Sequence, residues 1–350
     1  MKLAAIICEF NPLHTGHKKL IDFAKTQADK VVCVMSGNFT QRGLPACADK
    51  YARARHALKA GADLVVEIPT VYATSSAENF AYGAVSIAEK LHADCLVFGS
   101  ECGDVSELNR CVNALEDAEI NLKIREEMSK GVSYPKAVAI ATGLETLDKP
   151  NNILAIEYLK ALKKIGSQIR PITLKREDNY NENKASDFAS SMALRNDKSL
   201  REKYTFDFVV SDIDDSIEEK YSTIAPAFLA VATKEELEQI EGVTEGIHNR
   251  IFGADKSQGL EKLLEQVKTK RYTRMKLQRI VLNCVLGITK KSADEFKSKP
   301  VNIKVLGVKI GNETMLEGIE DATDAITQKA DRLFYALSGA TPPTKLIKVN

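Results

Sequence analysis

The chain has 350 residues, 44% of them hydrophobic and 28% charged, with 49 Lys and Arg against 48 Asp and Glu for a formal net charge of +1. This is globular composition, long enough on a prior of roughly 150 residues per domain for two domains, and it excludes collagen-like, coiled-coil and disordered chains. No apolar run approaches the roughly 20 residues of a membrane helix, so no membrane association is expected. The seven cysteines (8, 33, 47, 95, 102, 111 and 284) contain no CxxC pair. They indicate neither a zinc knuckle nor a disulfide framework, and a reducing cytoplasm is the expected setting.

In chain order, residues 3–8 form an apolar, β-branched run cut by Glu9, Asn11 and Pro12. It reads as a strand, not as a signal peptide. Similar runs follow at 31–35, 64–68 and 96–98, and the segments near 17–28, 50–60 and 77–91 between them repeat apolar residues at three- and four-residue spacing. Strands alternating with helices predict an α/β fold, a Rossmann-like doubly wound parallel sheet whose ligands bind beyond the carboxyl ends of the strands. The loops gathered there are Glu9-Phe10-Asn11-Pro12-Leu13-His14-Thr15-Gly16-His17, then 36–43 (SGNFTQRG), then 99–104 (GSECGD). Composition turns polar from about Asn181 to Arg201, which places a boundary near residue 190, between an N-terminal α/β domain (1–190) and a mainly α-helical C-terminal domain (191–350). Helical patterns at 234–241 and 260–266 belong to the second, and the alternation at 301–310 before Gly311-Asn312 predicts a small terminal β element.

Charge is unevenly spread. Residues 256–309 hold 14 Lys and Arg against four acids, a net +10 that leaves the remainder at −9. A basic block on an otherwise acidic chain points to a polyanionic partner. Within it, Lys270, Arg271, Arg274, Lys276 and Arg279 lie around Tyr272, and a helix to Val285 would set Leu277, Val281, Cys284 and Val285 as an apolar stripe apart from Lys276 and Arg279. The plain alternative is a solvated helix face.

The first loop carries the chemistry. Pro12 ends the extended run, Gly16 permits close approach to the backbone, and His14 and His17 share one face of a helix's first turn. Free N–H groups at a helix start favour phosphate, and imidazoles there can stabilise charge developing on an α-phosphate. Taken alone, HxxH reads first as a pair of surface or capping histidines, or else as metal ligands; the strand, the Asn-Pro turn and the glycine around it favour phosphate.

Glu9 to His17 resembles the HxGH signature of the nucleotidylyltransferase and class I aminoacyl-tRNA synthetase superfamily. More narrowly, EFNPLHTGH, MSGNFTQRG, FGSECGD, KPNNIL and KTKRYT, in that order, resemble the bacterial tRNA(Met) cytidine acetate ligase family. The resemblance implies an ATP- and Mg²⁺-dependent ligase. It would join acetate and ATP into acetyl-adenylate and acetylate the wobble cytidine of elongator tRNA(Met) to N4-acetylcytidine. It further implies ATP contacts along Ile7 to Leu20, taking in Cys8, Lys18 and Lys19, with catalytic His14 and His17 at the phosphates. Gly99, Asn151 and Arg176 match the remaining nucleotide positions, for which a turn glycine, a helix cap and a solvated arginine are the plain alternatives.

Further candidates extend this reading. Ser191 and Arg195 of SSMALR stand where superfamily members grip the β- and γ-phosphates, although Met192 replaces a usual Ser or Thr. Glu9 would order a magnesium-bound water or a histidine, or cap its turn. Arg42 is a partner for a carboxylate or phosphate unless it pairs with Asp49 or Asp63, and Asn38 and Phe39 would help close an acetate pocket. Tyr272 or Phe39 could stack on an unstacked cytidine. No dedicated protein metal site and no obligatory protein partner are expected. The rival readings are a nucleotidyltransferase acting on a small-molecule cofactor precursor and a non-catalytic RNA-binding protein.

Overall fold

The structure is a computed structural model that describes residues 1–132, 134–143, 149–176, 190–344 and 346–350. The polar stretch from Asn181 to 189 lies outside the described residues. Strands Leu3–Cys8 (β1), Lys30–Ser36 (β2), Leu64–Ile68 (β3), Cys95–Ser100 (β4) and Arg170–Lys175 (β5) pair in parallel in the order β5-β4-β1-β2-β3. Helices Thr15–Gln27 (α1), Lys50–Lys59 (α2), Ala77–Lys90 (α3) and Pro150–Ile165 (α4) cover both faces.

Side chains alternate across a strand, so a strand buried on both faces reads as one apolar run. Ala5, Ile7, Val32, Val34 and Val66 meet Phe80 and Ala84 of α3 and Ala155 and Leu159 of α4 on one face. Ala4, Ile6, Cys33 and Met35 meet Ile21 and Ala24 of α1 and Ala54 and Leu58 of α2 on the other. Full burial of each large apolar side chain contributes roughly 1.5–3 kcal/mol, and these faces hold the carboxyl ends of the strands in place. The chain turns to opposite sides of β1, toward β2 and toward β4, and the crevice opens between the ends of β1 and β4.

Two features differ from the sequence pattern. β5 was not among the expected strands because Arg170, Pro171 and Lys175 interrupt its apolar alternation, which an edge strand tolerates. The alternation at 301–310 does form a strand, Lys304–Lys309 (β6), but not a separate β element. It pairs antiparallel with β3, and Ile347–Val349 (β7) pairs with β6, so both extend the main sheet. Pairing there closes backbone groups that β3 would otherwise leave open, and it buries Leu306 and Val308.

The described residues between β5 and β6 are mainly helical, with Ser191–Asn196 (α5), Ser216–Val231 (α6), Gly259–Val267 (α7) and Arg274–Leu286 (α8); Ala325–Ser338 (α9) follows β6. Ile217, Tyr221, Leu264, Leu277, Val281 and Phe334 build their own core. A buried charge network joins it to the sheet. Lys50 Nζ reaches both carboxylate oxygens of Glu67 on β3 at 2.9 and 2.7 Å and Asp331 of α9 at 2.6 Å.

Candidate active site

The loop leaving β1 turns sharply. Phe10 has φ 46°, a left-handed conformation uncommon for a bulky residue, and its buried ring meets His17 edge-on at 5.0 Å. Arg53 of α2 secures the turn from below. Fully buried, it donates to the carbonyls of Ala48 (3.0 Å), Glu9 (2.7 Å), Ser36 (3.1 Å) and Gly37, tying the loops after β1 and β2 together.

His14 and His17 cap α1 reciprocally. His14 Nδ1 accepts the Gly16 N–H at 3.1 Å, and His17 Nδ1 accepts the His14 N–H at 3.3 Å. The rings stack with centroids 3.7 Å apart. Burial, then the Arg176 guanidinium, lowers His14 to about 3; burial, then His14 and Arg176, holds His17 well below its ordinary value. Both rings are therefore neutral at pH 7. With each Nδ1 accepting, the single ring proton sits on Nε2. Capping and ligand presentation are thus one arrangement: His14 takes the N–H groups of Gly16, His17 and Lys18 through its ring and carbonyl, and the caps orient two Nε2–H donors at the helix start, where the dipole favours an anion.

A cavity of about 270 Å³ lies over this turn at the ends of β1 and β4. Of the segment 7–20, Ile7, Cys8, Glu9, Phe10, Asn11, His14, His17 and Leu20 line it, whereas Pro12, Leu13, Thr15, Gly16, Lys18 and Lys19 do not. Leu13 is buried in the α1 face core, and Lys18 pairs with Asp22 at 2.5 Å. Gly99, Asn151, Arg176, Ser191 and Arg195 complete the wall. Gly99 serves Arg176 directly, because an added Cβ would lie 3.3 Å from Arg176 Cγ. Ser191 Oγ donates to the Pro12 carbonyl at 3.2 Å, and Arg195 donates to the Asn11 carbonyl, so α5 closes against the first loop. Met192, the departure noted in SSMALR, also faces the cavity.

Asn151 is not a helix cap. Glu101 caps α4 from outside, accepting the N–H groups of Asn151 (3.2 Å) and Asn152 (2.8 Å) and the Asn151 amide at 2.7 Å, while Asn152 Oδ1 accepts the N–H groups of Glu101 and Cys102. Glu101, Asn152 and Arg53 were missed as positioning groups. The adjacency of Glu101 to Gly99 was the available signal for the first, but nothing local links it to a helix 50 residues on. Glu9 Oε1 accepts the Gln41 N–H at 2.7 Å, which makes it a brace of the second loop.

Other expected residues lie elsewhere. Asn38 is buried, bonding the Lys50 N–H at 2.8 Å and Asp331 at 2.9 Å, and Phe39 packs in the helical core against Tyr221 and Phe334. Neither lines the cavity. Arg42 does, and among the described residues it pairs with no carboxylate; Asp49 caps α2 and Asp63 holds the Val31 N–H and Asn312. Tyr272 is 3% exposed with its hydroxyl on Thr244, so neither it nor Phe39 can stack on a base. α8 is buried beyond Leu277, which confines its exposed basic groups to the N-terminal end. Lys270 is exposed, Arg271 pairs with Glu245 at 2.8 Å, Arg274 pairs with Glu261, and Lys276 lies 4.0 Å over the Tyr272 ring. Arg279 turns inward to the Gln41 carbonyl at 3.3 Å. There Gly43, at φ 74°, lets α8 touch the second loop, since a Cβ would meet Arg279 N at 2.6 Å. Among the described residues no three His, Cys, Asp or Glu side chains gather to hold a metal ion. No helix is long and apolar enough to cross a membrane, again among the described residues.

This geometry has counterparts. A family model described as HIGH Nucleotidyl Transferase matches residues 1–334. The tRNA(Met) cytidine acetate ligase of Caldanaerobacter subterraneus subsp. tengcongensis is 40% identical, with 93% of this chain and 87% of that protein covered. The protein of the same name from Acetivibrio thermocellus is 37% identical over 91% and 86%. The crystal structure of Thermotoga maritima TmcAL bound with alpha-thio ATP has a TM-score of 0.80 at 29% identity, covering 97% of this chain and 88% of that one.

Proposed function

Since the chain belongs to the tRNA(Met) cytidine acetate ligase family of HIGH nucleotidyl transferases and is a ligase, we propose that it activates acetate as acetyl-adenylate and acetylates the wobble cytidine of elongator tRNA(Met). The observation that carries this reading is the pair of stacked, neutral histidines at the start of α1, in one cavity wall with Arg176 and Arg195. In the first step an acetate oxygen attacks the α-phosphate and pyrophosphate leaves. Charge grows on the phosphoryl oxygens, where the two Nε2–H groups donate, and a preformed donor in a dry site contributes most when charge develops. Arg176 and Arg195 hold the phosphates, Asn151 meets the nucleoside end, and Ser191 keeps α5 in place. Arg42, which among the described residues pairs with no carboxylate, receives the acetate. Magnesium, when bound with ATP, would supply the counter-charge of the triphosphate. Lys270, Arg271, Arg274 and Lys276 meet RNA phosphates in the cytoplasm, while Arg279 sets α8 against the second loop.

The test is incubation of the protein with labelled acetate, ATP and Mg²⁺, with and without elongator tRNA(Met), followed by nucleoside analysis. Label in N4-acetylcytidine only when tRNA is present supports the reading. Intact ATP and unlabelled RNA under every condition overturn it.

A further inference from the structure

A second, larger cavity of about 690 Å³ adjoins the first and shares Asn11, Arg42, Met192 and Arg195 with it. It runs between the sheet half and the helical half, bounded by α6 and by the basic end of α8 at Arg274. Acetate needs a small fraction of that volume. Cavities of several hundred Å³ instead match a nucleotide-sized ligand, and the rim at Arg274 lies on the side where RNA phosphates would be held.

Most carboxylates along this cavity are engaged. Asp214 holds Ser216, Asp215 pairs with Arg201 and Lys198, and Glu261 pairs with Arg274. Glu218 and Glu219 of α6 differ, since among the described residues no hydrogen bond or ion pair holds either carboxylate. Of the two, Glu218 is the one in the field of Arg195 and Arg42, the arginines that the two cavities share. Partial desolvation in the cavity wall pushes its carboxyl up, Arg195 opposes that, Glu261 adds to it, and Arg42 and Arg274 oppose it. A carboxylate is the side chain that accepts from the exocyclic amine of cytosine, and a base in RNA must be splayed out to be reached at that edge.

We propose that the larger cavity is the acceptor chamber for one splayed-out cytosine nucleotide and that Glu218 is a catalytic residue of the transfer step. This rests on the proposed ligase reading. The N4 lone pair attacks the acetyl carbonyl of acetyl-adenylate, forming the N–C bond. The bond from the acyl carbon to the phosphate oxygen breaks, and its electron pair leaves with AMP. The amine proton passes to Glu218 and from there to solvent.

The experiment compares Glu218→Gln with the wild-type protein in three measurements: acetate-dependent exchange of pyrophosphate into ATP, affinity for tRNA(Met), and single-turnover transfer of labelled acetyl to tRNA. Glu218 lies in the chamber wall outside the packed core and Gln keeps its shape, so the variant keeps its fold. The expected result is transfer slowed roughly 10²-fold or more, with exchange and affinity changed less than about threefold. Transfer at the wild-type rate overturns the role of Glu218. A second variant, Ser222→Trp, fills the chamber from the same helix. Unchanged transfer there shows that cytosine does not use the chamber. If the wild-type protein itself shows no acetate-dependent exchange, the ligase reading fails and this proposal with it, an outcome distinct from failure of either variant.

Discussion

Replacing His14 with Asn separates the electrostatics of the first turn from its capping. Asn is a good N-cap, so α1 keeps its start while the titrating ring is gone. His14 is 3% exposed, and its value falls from 6.5 to about 3 on folding. Below pH 6.5 the unfolded chain binds a proton at this position that the folded chain refuses, so stability falls with decreasing pH until about pH 3. Each pH unit in that window is worth about 1.4 kcal/mol, or about 2 kcal/mol in total at pH 5. Other groups titrate over the same range, and the difference between the two proteins isolates His14. Urea midpoints at pH 7 and pH 5 measure it, with the slopes checked for constancy. The wild-type protein is expected to lose about 2 kcal/mol more than the variant between those pH values. Equal losses in both would refute the claim that the ring is held neutral in the folded protein.

Three further outcomes follow from the same geometry. His17→Ala should slow acetate-dependent pyrophosphate exchange roughly 10²-fold or more while leaving tRNA affinity within about twofold, measured by exchange and filter binding. Lys270→Ala with Arg271→Ala should weaken tRNA binding and reduce its salt slope by up to about 1.4, read from affinities across a salt series. Arg53→Lys should lower stability by several kcal/mol, because a single ammonium cannot reach the four carbonyls and each one left unpaired costs about 1–3 kcal/mol; a midpoint shift worth less than about 1 kcal/mol counts against that bracing role.

Much of the sheet was legible because its inner strands are apolar runs buried on both faces, and period and run length are local properties. The histidine turn was legible for the same reason, since His14, Gly16 and His17 act within one helical turn. What escaped notice depends on distance along the chain. Asn38 and Phe39 look like loop residues beside a ligand, yet Phe39 is claimed by Tyr221 and Phe334 and Asn38 by Asp331, partners roughly 180 to 295 residues away. Tyr272 sits among basic residues and reads as a stacking platform, but its hydroxyl is taken by Thr244. Arg279 is spaced like its basic neighbours and differs only because Gly43 admits the helix to the second loop. Glu101 caps a helix that begins 49 residues later, a pairing that no local pattern encodes.

The strand order also bears on how the protein is made. β6 follows β5 in the chain only after residues 176–303, whose described part is mainly helical, yet it lies against β3. The helical half is therefore inserted within the sheet half in two excursions, one between β5 and β6 and the other, α9, between β6 and β7. During synthesis the edge of β3 stays open until residues 304–309 emerge, and the nascent nucleotide half must wait, with Val65 and Val66 unpaired on that side, while the RNA-facing part is completed. Cutting the chain near residue 190 would release no finished half. It would leave an adhesive edge that favours association between copies.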